Sequence, residues 1–581
     1  MNSLLLIVLA MAGYLLAYRL YGRYLGRKIL KISSSATMPS HSYNDGIDFV
    51  PTRSHIVFGH HFTTIAGLGP IVGPAIGIIW GWLPAFMWVF FGSIFMGAVH
   101  DLTTLVVSAR SGGKSIGELT GELINPSTRY ALQFIMQLLL FIVLAVFAMI
   151  VSSLFVMYPE SVIPVWAQIP VAVWLGWQLR KGRNDLLFSL IGLIMLYGFV
   201  VVGVRFPVVL PWDHDTSVVV WCILLFIYVF FASTLPVQKL LQPRDYINSH
   251  QLLVAMLMLI VGIAIARPVI VAPAINETAF QPGSDIPNLA PLMVIVIACG
   301  AISGFHSLAS SGTTVKQVNN EKDSLPIGYG AMITESFLAV LVIVAAGAGL
   351  GMGLEKDGQL FHGLEAYHVH YASWSSANGL TAKLDAFIVG SANLFSTLGI
   401  PVKYGAAFVV VFIVSFANTT LDSATRIQRI SLQEIFTRPG GSITRPINNR
   451  YLATAIIVVA AAAMAFYKPG GQGAMVLWPL FGSLNQLMAA LALGVVTVYM
   501  ASRRYPIYYT LIPMIIILVL TLWAMVENLA GFIRDGEYLL IILSSLILLL
   551  TGWLTLSSLR ILGRKGPGGI VHQKVPDNIN S

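Results

Sequence analysis

The sequence predicts an all-α protein that crosses a membrane many times. Three observations carry this. Of the 581 residues, 56% are hydrophobic and only 10% are charged, against about 25% charged in a soluble protein. Mean hydropathy is +0.79, and apolar runs repeatedly reach the roughly 20 residues that span a bilayer. Lys and Arg fall in the short loops after every second run, the positive-inside pattern. Those loops account for the net charge of +9, so no nucleic-acid partner is implied. Cys222 and Cys299 both lie in apolar runs, which argues against a disulfide framework or a cysteine zinc site.

The first crossing, 3–20, precedes Arg19, Arg23, Arg27, Lys28 and Lys31, so the N-terminus is placed outside. It lacks a basic n-region and a cleavage site, and reads as an uncleaved helix. Residues 32–62 form a polar cytoplasmic linker. Segment 63–80 goes out, 84–108 returns to Arg110 and Lys114, 130–157 goes out, and 162–179 returns to Arg180 and Lys181. Then come 185–204, 216–236, 250–267, 290–309 and 328–352, alternating in direction. An outer loop, 354–383, leads to 384–400, which is apolar but short and reads as re-entrant or interfacial. Segment 404–421 must come in, because Arg426, Arg429, Arg438, Arg445 and Arg450 follow. The last crossings are 451–467, 474–499, 506–526 and 538–559, the final one ending at Arg560, Arg564 and Lys565. The sum is about fifteen crossings with the C-terminus inside. Segment count and direction suggest a five-plus-five inverted repeat, 63–204 and 216–421. The organisation expected is 1–62 as helix and linker, 63–425 as transporter core, and 426–581 as C-terminal helices.

Segment 63–80 is the most unusual run. Gly67, Gly69-Pro70 and Gly73-Pro74 interrupt it. Proline removes a backbone donor and clashes with the preceding turn, so two Gly-Pro pairs should break the helix. Bare backbone in a bilayer is tolerated only where it is buried in protein or lines a cavity, and broken helices build many transporter sites. Residues 63–75, with Thr64, Gly67, Gly69 and Gly73, are therefore expected to line a translocation site.

Other polar residues fall at membrane depth. His100 and Asp101 precede Arg110 by about ten residues, roughly 15 Å along a helix. They read equally as a proton-binding pair or as a hydrogen bond that locks helices together. Run 298–314 carries Ser303, His306, Ser307, Ser310, Ser311, Thr313 and Thr314. That density of hydroxyls exceeds what close packing needs and favours a site, whereas Gly300 and Gly304 fit a packing face. Glu335 is either a proton carrier or a carboxylate at a helix start. Asn418 is deep enough to bind substrate. Asp422 and Arg426, four apart, fit an ordinary ion pair. Asn485 and Gln486 fit interhelical hydrogen bonds. His55, His60 and His61, and the outer-loop His362, His368 and His370, lack a recognised metal spacing. No metal or cofactor is assigned. No Lys or Arg reads as deep in a span, so an anion would have to meet a helix N-terminus near Pro74 or a protonated histidine.

Runs Phe58–Ala75, Gly97–Asp101, Ser115–Leu119, Ala298–Thr314, Pro326–Gly330 and Phe416–Gln428 resemble the carbon starvation protein A family, in order and over nearly the whole chain. The resemblance implies an inner-membrane transporter, induced on carbon limitation, that takes up peptides or pyruvate with protons. It also implies the inverted-repeat fold of the amino acid–polyamine–organocation superfamily. The expectation is a proton-coupled importer of a small carboxylate such as pyruvate, with His61, His100, Asp101, His306 and Glu335 carrying protons. Short-peptide uptake is the alternative. A homo-oligomer stays open. A channel would need rings of like charge, a metalloenzyme an open metal site, and an ATP-driven pump a phosphate loop that is absent here.

Overall fold

The computed structural model describes residues 2–281, 283–377, 380–436, 445–469 and 473–564. Arg438 and Lys565, two of the charges that orient the chain, lie outside the described residues. Among the described residues, twelve helices are long and apolar enough to cross a membrane, and one bent pair makes a thirteenth. The shortfall from about fifteen has two sources. Run 290–309 is three short helices rather than one. Arg450–Ala465 has only 16 residues, about 24 Å of helix.

The chain opens with α1 (Ser3–Ile29). A bent pair follows, α2 (Ser54–Ile65) and α3 (Gly69–Trp80), turned by 46°. Next come α4 (Trp82–Arg110), the short α5 (Ile116–Leu123), α6 (Pro126–Met157), α7 (Pro159–Arg180), α8 (Asp185–Arg205), α9 (His214–Thr234) and α10 (Leu241–Ala266). The second interrupted span is α11 (Leu289–Val296), α12 (Ala298–Ala301) and α13 (Gly304–Gly312). Helix α14 (Glu321–Met352) leads to a two-stranded hairpin, Leu354–Lys356 with Gln359–Phe361, and to α15 (Gly363–His370). Helices α16 (Leu380–Ser396), α17 (Val402–Ile435), α18 (Arg450–Ala465), α19 (Trp478–Ser502), α20 (Tyr508–Asp535) and α21 (Tyr538–Gly563) complete the fold.

Local sequence sets many of these ends. Ser115 accepts from the Glu118 amide at the start of α5, and Asn125 caps α6 just ahead of Pro126. These side chains satisfy amides that a helix start leaves bare. The bilayer sets the interior. The apolar windows of α6 and α17 are 83% and 89% buried. Gln137 and Gln428 tie the two helices by bonding each other's backbone carbonyl, both at 3.3 Å.

Three expectations about the first interrupted span change. It starts at Ser54, so His55, His60 and His61 belong to its first half and not to a polar linker. It breaks once, at 66–68, just ahead of the first Gly-Pro pair. Gly73-Pro74 lies inside a continuous α3. Pro70 sits in the first turn, where its missing N–H costs nothing, and Pro74 removes only one bond further on. The half-helix therefore begins at Gly69 and not near Pro74.

Helix α9, expected to open the second half of a repeat at 216, runs unbroken to Thr234. The second interrupted span starts at Leu289.

Residues 39–53 form a strap across one end of the bundle. Ser40 Oγ donates to the Val318 carbonyl, the Val50 amide to Lys316 and the Thr52 amide to Gln317. The Val237 amide donates to Ile47. Asp48 clamps α17 by accepting from Arg426 at 2.7 Å and from Arg429 at 2.9 Å. Those guanidinium groups hold the Asp48 carboxyl well below the ordinary carboxylate range, against the opposing effect of burial.

Candidate proton and substrate site

The two interrupted spans touch where both lose regular helix. A Cβ on Gly69 would meet Cys299 Sγ at 2.2 Å, and one on Gly73 would meet the Val296 carbonyl at 2.4 Å. A Cβ on Gly77 would reach Ile297 Cδ1 at 2.4 Å. Glycines every fourth residue thus give α3 a flat face on which 296–299 lies, the close approach that small residues permit in membranes. Gly67 faces Thr420 and Phe147 instead. No hydrogen bond between backbones reaches the Gly67 or Leu68 amide among the described residues.

Beside this crossing lies a closed polar cluster. Asp101 on α4 accepts from His100 Nδ1 at 2.8 Å through one oxygen and from His306 Nδ1 at 2.9 Å through the other. The other ring nitrogen of His306 lies 3.3 Å from Glu335 Oε2 on α14. All four side chains are fully buried. Since Nδ1 of His306 serves Asp101, its Nε2 faces Glu335 in one of two forms. A neutral ring meets a protonated acid, or an imidazolium meets a carboxylate.

The neighbouring residues fall into two groups. His61 Nδ1 meets Thr314 Oγ1 at 2.9 Å, and its Nε2 has no partner among the described residues. Ser303 donates to Asn485 Oδ1 at 3.1 Å, and the same oxygen accepts from the Phe305 amide at 2.9 Å. Asn485 thus holds the start of α13. Gln486 bonds the Val294 carbonyl at 2.5 Å, as its interhelical reading requires. The second group bonds to its own helix or to a neighbouring one. Ser307 and Ser311 bond back to the carbonyls of Gly304 and Ser307, a habit of helical serines. Ser311 also accepts from the Ile116 amide. Thr64 meets Ser423 at 3.1 Å. Ser310 Oγ and Asn418 Oδ1 are buried without a partner among the described residues.

Arg244, Lys316, Lys383, Arg426 and Arg429 are all buried, and two of them depart from the sequence reading in their partners. Arg244 and Arg426 are 2% and 1% exposed. Asp422 pairs with Arg244 at 2.6 Å, not with Arg426, which binds Asp48 and the Leu235 carbonyl. Arg244 also donates to Tyr228 and Thr419. Asp245 meets His60 at 2.5 Å. Hydropathy begins the α10 span at residue 250, and so leaves Arg244 and Asp245 in a loop. The signal available was the acid–base dipeptide itself, directly ahead of a span.

A buried acid–imidazole cluster lies beside two interrupted spans in a many-helix membrane bundle, and family and relatives make the protein a membrane transporter rather than an enzyme. The family model described as carbon starvation protein CstA matches residues 2–524, and the chain belongs to that family. The Escherichia coli (strain K12) protein named peptide transporter CstA is 35% identical, covering 90% of this chain and 80% of its own. The Bacillus subtilis (strain 168) protein of the same name is 32% identical over 88% of each chain. The pyruvate/proton symporter BtsT of E. coli is 32% identical, covering 90% of this chain and 81% of its own. Among solved structures, a mutant manganese transporter of Eremococcus coleocola aligns with a TM-score of 0.47 at 12% identity, over 89% of this chain and 99% of that one.

Proposed function

We propose that the protein imports a small carboxylate such as pyruvate together with a proton, across the inner membrane, with its N-terminus outside. The observation that supports this most is the contact of His306 with both Asp101 and Glu335 beside the crossing of the interrupted spans. Two carboxylates share this centre, and no Lys or Arg bonds to them among the described residues. A bare anion entering a closed site of this kind meets like charge in a low dielectric, at a cost of several kcal/mol. A proton on the His306–Glu335 pair lowers that cost by cancelling one of the two charges. The substrate and the proton then enter together for an electrostatic reason.

The solute's carboxylate would be met by protonated His306 or His61 and by the amides at the start of α3. Ser303, Ser310, Thr314 and Asn418 supply further polar contacts. We take the two transport halves to start at Ser54 and Leu289. The relatives named as peptide transporters favour a second reading, in which a short peptide uses the same site. A peptide needs a cation for its carboxyl end, and among the described residues no Lys or Arg bonds to the Asp101–His306–Glu335 cluster. That favours the smaller solute.

The test is uptake of labelled pyruvate and of a labelled dipeptide into proteoliposomes, with and without an inward proton gradient. Gradient-driven pyruvate uptake is expected, reduced about tenfold or more in Glu335→Gln. Dipeptide uptake without pyruvate uptake selects the second reading. No uptake of either under a gradient overturns both.

A further inference from the structure

A second acid–imidazole pair lies outside the central cluster. His60 on α2 and Asp245, five residues into α10, meet at 2.5 Å, both fully buried. The other ring nitrogen of His60 lies 3.4 Å from Thr313 Oγ1. Thr313 adjoins Thr314, the partner of His61. Adjacent histidines of the first interrupted span thus meet adjacent hydroxyls just past α13.

The charges around Asp245 define what the pair can do. The groups that face it are His60 from α2, Arg244 from its own helix, Asp422 and the Thr419 hydroxyl from α17, and Tyr228 from α9. Arg426 acts on Asp422 from one turn further along α17. Arg244 stays charged in a protein, and Asp422 takes up that charge at 2.6 Å. Asp245 bonds His60. With neither side protonated, the pair is a fully buried carboxylate that shares Arg244 with Asp422, and burial of that kind favours binding a proton. A proton on the ring or on the acid would lower the cost of that burial while α2 stays packed on α10. Both side chains are fully shielded from water in this arrangement. Gly59 allows the two helices this closeness, since a Cβ there would sit 2.8 Å from Ser249 Oγ.

We propose that His60–Asp245 is a second proton-binding site, separate from His306–Glu335, filled while α2 is closed on α10 and emptied when they part. The proton comes from water on one side and returns to water on the other, with no other group changed. This rests on the reading of the protein as proton-coupled.

The experiment counts protons taken up by purified protein in nanodiscs when pH is stepped down, read with an indicator dye. It compares the parent, Glu335→Gln, Asp245→Asn, the double variant and Asp245→Glu, each first shown to be folded and monodisperse. Asp245→Asn should remove about one proton per chain, additively with Glu335→Gln, and Asp245→Glu should restore it. An unchanged count in Asp245→Asn overturns the proposal. So does a loss that Asp245→Glu fails to restore, since that marks a packing role. Should Asp245→Asn not fold, His60→Gln takes its place: a lower count supports the site and an unchanged one overturns it. The count uses no substrate. A parent without gradient-driven uptake would therefore refute the symport reading while the proton count still decides the fate of this site.

Discussion

Asp48→Asn tests how the strap is held. The substitution keeps shape but removes the charge that Arg426 and Arg429 share. Those side chains are 1% and 4% exposed, and that of Asp48 is 15% exposed. Removing one partner of a buried ion pair costs about 3–5 kcal/mol. Partial access of water to Asp48 reduces this to roughly 2–3 kcal/mol. The loss should fall on docking of the strap, because the arginines stay packed in α17. At 1.4 kcal/mol per factor of ten, the docking equilibrium shifts by about 30- to 150-fold. Amide hydrogen exchange reads it directly. The Val50 and Thr52 amides, which donate to Lys316 and Gln317, should lose protection by that factor, with little change inside α6. Because the folded carboxyl is held well below its ordinary value, its stabilisation is complete above about pH 4 and is lost only as pH falls through the lowered value. Strap protection should therefore be flat between about pH 5 and pH 8 with respect to Asp48. Unchanged exchange at Val50 and Thr52 in the variant would show that the carboxylate does not hold the strap.

Two further predictions concern the crossing of the interrupted spans. Gly73→Ala places a methyl 2.4 Å from the Val296 carbonyl and 3.0 Å from Ile297 Cα, both backbone atoms. Overpacking of this kind costs about 1–3 kcal/mol, so the melting temperature and pyruvate uptake should fall together, and a parent-like melt would refute the close crossing. Asn485→Ala removes the acceptor shared by Ser303 Oγ and the Phe305 amide. It should lower stability by about 1–3 kcal/mol in a denaturant or thermal melt, and no change would show that α13 is held by other contacts.

Much of the fold is legible in the sequence because the bilayer imposes a one-dimensional rule. Apolar length and flanking charge place helices without knowledge of their partners. Glycine and proline mark the first interrupted span for the same local reason, although the half-helix starts at Gly69 and not near Pro74. His100, Asp101, His306 and Glu335 stand out singly because ionisable groups at membrane depth are rare. Asn485 and Gln486 read correctly because a buried amide must find a partner.

What escapes such a reading is the choice of partner. Asp422 has Arg426 four residues away, yet the structure gives it Arg244, 178 residues distant. Arg426 goes to Asp48 across 378 residues, and His60 meets Asp245 across 185. The same holds for the glycines of α3. Sequence shows only that backbone is bare there, and the packing of 296–299 on it decides that Gly69 and Gly73 face protein. The sequence alone determined which residues are costly in a membrane, because that cost depends on residue type and depth. Only the tertiary structure decided which charge relieves which, because Coulomb attraction depends on distance in space and not along the chain.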